Sequence, residues 1–433
     1  MKFTPAWRVC ILGAILCLAL SVCSRNFGDR GGPYFMASLT VAGIAYLLAV
    51  REFFATPGIS RRGIVIALIL AAGWRIEFLR LSPQADEDIY RYVWDGHLQR
   101  LGYNPYIVVP SDPAANGLHT PETRNLNNPD LPSPYPAGAQ LFFRAVTSIH
   151  ESTFAMKVAF VICDFAIVLV LLDVLHYSGR AAHLVLVYAW NPLLAVEVAG
   201  SGHIDIVGAL LLLVSVAALG RRWRATAAVA LGLAIAVKFL PIVLLPLYWK
   251  RVRIRDAALA AAVFGLLYLP FLNHGHVPIG SLGAYVQSWR FNGPVFAVFD
   301  RLASPKVLAA LALFAGFGTA TWLRRAGPEW FPELLVWPMA AALVCAPVVY
   351  PWYLLWLLPF LTSASTWLIV LWTVSIFPTY IVWHLRTLGR PWGPLPKWAM
   401  VLEYGCLAIA AAIFWLRRGR RPEHAGAASG GRV

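Results

Sequence analysis

The sequence predicts an all-α, polytopic integral membrane protein of about 12 to 14 membrane segments. Three observations predict it. Hydrophobic residues fill 59% of the 433 positions. Mean hydropathy is +0.65. Apolar runs of helix-spanning length recur from end to end, as a hydrocarbon core of ~30 Å demands.

The first run, residues 9–24, follows Lys2 and Arg8. Ser21, Val22 and Cys23 make a poor cleavage site and miss a lipobox, so the run is expected to stay as a signal anchor. Runs at 35–50 and 62–80 precede a polar stretch, 82–153. Further runs lie at 154–175, 182–199, 204–220, 257–273, 306–323, 331–348, 366–384 and 398–416.

Two stretches are shorter. Basic clusters at 221–224 and 250–253 flank a segment broken by Lys238 and Pro241. Two halves of about 12 residues reach only ~18 Å each, so a membrane-embedded hairpin with Lys238 near its tip is expected. Residues 350–361 make the other short pass. Counting it places Arg51, Arg61, Arg62, Arg180, Arg324, Arg325 and the cluster from Arg417 on one, cytoplasmic, side. Both termini are then inside and the 82–153 loop outside.

The chain thus reads as a single transmembrane domain, 1–433, with an outer-face loop at 82–153 and a Gly/Ala-rich cytoplasmic tail at 417–433, expected to be disordered. The formal charge of +15 is scattered in short clusters that report topology, which argues against a nucleic-acid partner. Cysteines 10, 17, 23, 163, 345 and 406 show no CxxC spacing, so neither disulfides nor structural zinc are expected.

A connection of ~70 residues is far longer than a link needs. From Tyr90, Val93, Trp94, His97, Leu98 and Leu101 follow one helix face, with Gly102 as the stop. This predicts a helix lying on the membrane. After the proline-rich run 129–136, Leu141 to Val146 predicts a second.

Asp86, Glu87 and Asp88 stand at the start of the first loop helix. Anions are favoured there, so capping is the plain explanation, but three acids exceed what one cap needs. Asp88, Arg91 and Asp95 share a side, where Arg91 is placed to hold one carboxylate while another stays free. A carboxylate partly desolvated by lipid and aromatic rings suits a general base for a hydroxyl nucleophile. A phosphate leaving group calls for fixed cations, and Lys238 and Arg290 are the candidates, with headgroup snorkelling or anchoring as their ordinary alternative. His203 and Asp205 open an apolar run, where capping explains them as well as ligand binding does. Their spacing is weak evidence for metal. Tyr350, Trp352 and Tyr353 form an aromatic cluster suited to stacking on a sugar ring, although an interfacial belt predicts the same residues.

The run from Asp86 to Gly96, followed by Gly102-Tyr103-Asn104-Pro105-Tyr106, resembles bacterial GT-C polyprenyl-phosphate-mannose-type transferases, similar to glycosyltransferase family 87. Residues 135–140, Gly202-His203-Ile204-Asp205, Lys238 with Pro241, and Pro351-Trp352-Tyr353 continue the resemblance in order over most of the chain. Three apolar helices stand before the acidic loop, where many members have one. The resemblance implies an inverting hexosyltransferase, with mannose the leading sugar, that moves one sugar from polyprenyl phosphate to a glycan or glycolipid hydroxyl on the outer face of the cell membrane. It implies Asp88 as leading base, Glu87 or Asp86 as base or sugar-orienting partner, and Lys238 and Arg290 facing the phosphate. Tyr90, Arg91, Asp95, Asn104, Tyr106, Tyr135, His203, Asp205, Tyr350, Trp352 and Tyr353 are then the sugar- or acceptor-binding candidates. No cofactor is expected, and a divalent metal is not supported. The rival reading is a lipid-linked sugar transporter or flippase, since such proteins share intramembrane charge and broken helices.

Overall fold

The computed structural model describes residues 5–84, 87–272, 278–326, 332–390, 392–393 and 395–419. Asp86 and the tail from residue 420 lie outside the described residues. Every regular element among those described is helical.

Three helices precede the polar stretch: α1 (Pro5–Arg25), α2 (Pro33–Ala55) and α3 (Arg61–Leu79). Ser60 caps α3 by accepting from the Gly63 amide at 3.1 Å. The stretch itself carries α4 (Asp88–Arg100) and α5 (Ala137–Ile149). Gly102, at φ 84°, stops the first as expected.

The helix α4 does not lie on the surface. Ten of its residues are buried, including Arg91, Asp95 and Gln99 on its polar side. Val93, Trp94 and Leu98 of the predicted face are buried while Leu101 is exposed past the helix end, and the polar face is also covered, because the loop at 127–133 and Gln140 supply it with hydrogen-bond partners. A Cβ on Gly96 would stand 2.6 Å from the Phe143 carbonyl oxygen, so glycine permits the close approach of α4 to α5.

Next come α6 (Thr153–Tyr177) and α7 (Val185–Ala189). The run read as one pass at 182–199 is broken instead. The helix Ala182–Ala189 meets the π-helical turn Leu194–Ser201 at 59°, and residues 194–201 are wholly buried. Gly202, at φ 80°, ends it and launches α8 (Asp205–Gly220).

The hairpin is present. From α9 (Arg224–Val237) the chain breaks at extended Lys238 and returns through the turn Leu240–Leu244 and α10 (Leu245–Tyr248). Tyr248 Oη meets Ser215 Oγ at 2.8 Å, and Ser215 Oγ donates to the Ala227 carbonyl at 2.5 Å, which places the end of the return beside the start of α9.

The rest comprises α11 (Ile254–Tyr268), α12 (Leu282–Ser288), α13 (Pro294–Phe299), α14 (Pro305–Ala326), α15 (Val336–Val344), α16 (Trp367–Ser375), α17 (Ile381–Thr387) and α18 (Lys397–Gly419). Tyr350 to Leu361 forms buried 3-10 turns that run to Thr362, bound by Arg180. Arg8 pairs with Glu52, Arg180 with Glu333, and Arg324 donates to the Pro246 carbonyl, so these basic residues meet partners beside helix ends away from Asp205 and Lys238.

Seven helices among the described residues are long and apolar enough to cross a bilayer, or eight if the bent pair counts as one span. The expected 12 to 14 segments, short halves included, are not matched by spans of full length. Apolar runs at 204–220, 224–237 and 332–344 give helices too short to span alone, and α3 carries Arg75 and Glu77. The molecule is a multi-pass, all-helical membrane protein. One buried charge pair shows what low dielectric requires: Arg75 Nε meets Asp164 at 2.8 Å, and Tyr188 donates to the same carboxylate at 2.6 Å.

Candidate active site

The N-terminus of α4, the junction before α8 and the hairpin tip converge on one cavity of about 940 Å³. Asp88, Asp205 and Lys238 line its polar part. An apolar arm continues between the hairpin, α12, α14 and α15, walled by Val243, Leu282, Ala312 and Leu343.

Asp88 is half-buried in the first turn of α4. Asn127 Nδ2 donates to its Oδ1 at 2.6 Å, which orients the carboxylate. Burial, then the charge of Asp88, pushes the phenols of Tyr92 and Tyr135 well above their ordinary range, so these rings remain neutral donors around it.

Glu87 is the N-cap of α4 but makes no capping bond. It is buried and ion-paired with Arg30, which also bonds Ser201. The Arg30 guanidinium lies 5.2 Å from the Phe27 ring centre and 5.0 Å from that of Trp383. Glu87 touches the cavity wall with its charge already engaged.

Arg91 does not hold a carboxylate. It donates to the carbonyls of Asn127 at 2.9 Å, Asn128 at 2.7 Å and Leu131 at 3.1 Å, and so pins the loop that carries Asn127. Asp95 sits behind it, bonded by Ser133 and by Gln140 at 2.9 Å.

Lys238 caps the end of α9 and reaches Asp205 at 2.8 and 3.0 Å, with its ammonium 4.1 Å from the Tyr353 ring centre. Asp205 is buried and also accepts from Trp356 Nε1 at 2.7 Å, so it orients Lys238. An ammonium has three donors, and the carboxylate takes two. His203 does not line the cavity: its Nδ1 bonds the Glu197 carbonyl at 3.1 Å, and its ring stacks on Trp352 at 4.0 Å.

Trp352 stacks in turn on Tyr350 at 4.3 Å, and Tyr350 on Phe291 at 4.4 Å. These rings form a column in the cavity wall, with stacking surface already used by one another. Tyr353 is turned edge-on to the column and meets the Tyr285 hydroxyl at 2.5 Å.

Several expected ligand residues serve the frame. Tyr90 Oη donates to the Pro83 carbonyl at 3.0 Å, and Tyr106 Oη to that of Tyr135 at 2.8 Å. Asn104 caps the Tyr106 amide and donates to Phe271 at 2.9 Å. Arg290 is folded onto carbonyls of its own chain segment and onto Asp300 at 3.3 Å, outside the cavity lining.

Arg30, Asn127, Glu197, Tyr285, Trp356 and Arg386 were not anticipated. Arg386 lines the cavity near Trp392. Glu197 alone carried a usable signal, an acid inside an apolar run. Among the described residues no three His, Cys, Asp or Glu side chains gather in one place.

A search of curated proteins returns no match. Among solved structures, ArnT from Cupriavidus metallidurans bound to undecaprenyl phosphate matches with a TM-score of 0.46 and 15% identity, covering 83% of this chain and 73% of that one. The family model described as "Alpha-(1->6)-mannopyranosyltransferase, N-terminal domain" matches residues 21–252, more than half of the chain and the part that holds Glu87, Asp88, Asp205 and Lys238. The protein therefore belongs to the alpha-(1->6)-mannopyranosyltransferase family.

Proposed function

We propose that the protein transfers mannose from a polyprenyl-phosphate donor to a primary hydroxyl of a glycan or glycolipid, with inversion, on the face of the membrane opposite the basic clusters. One observation carries this reading: Asp88 and Lys238 face the same cavity, whose polar part opens into an apolar arm. A polyprenyl chain fits the arm, its phosphate the cation, and the sugar the space toward Asp88.

In the reaction the acceptor oxygen attacks the anomeric carbon, the bond from that carbon to the phosphate oxygen breaks, and the acceptor proton passes to Asp88. The polyprenyl phosphate leaves toward Lys238, whose remaining donor stabilises the growing negative charge. Asn127 holds Asp88 and Asp205 holds Lys238, so neither group has to be found by a mobile side chain. An α product formed with inversion requires a β-configured donor.

The test is transfer from labelled β-configured polyprenyl-phosphate mannose in proteoliposomes. Asp88→Asn is expected to lower kcat by about 10² to 10⁴-fold while the protein stays folded. Lys238→Ala should chiefly raise the donor KM. Wild-type turnover in Asp88→Asn removes Asp88 as the base, and donor movement without a new glycosidic bond favours the transporter.

A further inference from the structure

A second cavity, about 490 Å³, lies at the other end of the hairpin, between α10 and α14. Pro246 and Trp249 form one wall, and Phe317, Thr321, Arg324 and Arg325 the other. Arg324 Nη1 donates to the Pro246 carbonyl at 3.0 Å, which holds its guanidinium at the wall. Arg251 stands beside it: burial, and then the charge of Arg324, lower the Arg251 pKa.

The described acids at this end are engaged elsewhere. Glu333 is on Arg180, Asp173 on Arg221, and Asp256 beside Arg255. Arg61 and Arg62, by contrast, are exposed at the start of α3, where topology alone explains them. Here the charge is concave, crowded, and rimmed by exposed Trp249 and Leu245. An anion with an apolar body matches both features, and a bilayer supplies one in its anionic phospholipids.

We propose that this cavity binds the phosphate headgroup of an anionic phospholipid, held by Arg324 and Arg325, with Trp249 and Phe317 against its apolar part. The lipid braces the return of the hairpin against α14. Because the same hairpin carries Lys238 at its tip, occupancy steadies the active-site cation from the far end.

The delipidated full chain is titrated with phosphatidylglycerol, phosphatidylcholine or inorganic phosphate, and bound species are counted by native mass spectrometry. Phosphatidylglycerol should be retained over phosphatidylcholine, and Arg324→Gln and Arg325→Gln should each weaken it about fivefold. Arg61→Gln should leave it unchanged. Equal retention of both lipids, or unchanged retention in the two cavity variants, overturns the proposal. So does inorganic phosphate that binds as tightly as the lipid, since the site would then take a soluble anion. If Arg324→Gln fails to fold, Arg325→Gln alone decides, because Arg324 and not Arg325 holds Pro246.

Discussion

Asp95 is buried with one carboxylate oxygen bonded by Ser133 and Gln140 and with Oδ1 unpartnered. Burial pushes its pKa up to about 6, against the lowering effects of Arg91, Ser133 and Gln140. A raised carboxyl pKa means that the folded state binds the proton more tightly than the unfolded state. Stability should therefore fall as pH rises from about 4 to about 6, by about 3 kcal/mol, and stay flat above. Asp95→Asn should remove that slope and melt no lower than wild type at pH 8, as thermal denaturation across pH can show. The buried pair Arg30 and Glu87 behaves differently, because each charge is the other's compensation. Arg30→Gln should cost about 3 to 5 kcal/mol, while Arg30→Met with Glu87→Leu recovers much of it. Melting temperatures of the single and double variants decide. A double variant as unstable as the single one would show that the two residues are not a unit.

At the scale of elements, α8 connects packing to chemistry through one glycine. A Cβ on Gly208 would stand 1.9 Å from the Trp356 ring, and Trp356 donates to the carboxylate that holds Lys238. Gly208→Ala should displace the indole and lower transfer roughly tenfold, a loss of ~1.4 kcal/mol at the transition state. Retained activity with an unchanged near-ultraviolet tryptophan signal would mean that the ring has room to yield. The hairpin is the second such element. Lys238 sits where α9 breaks, and Pro241 follows within the turn. A proline cannot donate to a continuing helix, so the break is local chemistry, and the exposed helix end becomes a place for a ligand-facing charge.

Across the whole molecule, α1 is part of the core. Leu16, Leu20 and Cys23 are fully buried, and Ser24 Oγ meets Glu77 of α3 at 2.5 Å. Removing residues 1–25 should abolish folded protein in the membrane, and intact mass should show α1 retained. A cleaved but active chain would sink this. Composition and the spacing of apolar runs determined a multi-pass helical protein with a long polar insertion, because bilayer thickness and backbone hydrogen bonding leave few alternatives. The carboxylates by α4 and the hairpin with Lys238 were legible for similarly local reasons, whereas the order of the motifs was legible only through the family resemblance. Partnership was not. Whether Arg91 meets a carboxylate or three carbonyls, whether Glu87 is free or tied to Arg30, and whether Tyr350 and Trp352 offer their faces or use them on each other depend on residues far apart in the chain. Burial of the polar side of α4 likewise needed Ser133 and Gln140 to satisfy it. Periodicity describes one helix at a time, whereas the cost of a buried charge is decided by what the fold brings against it.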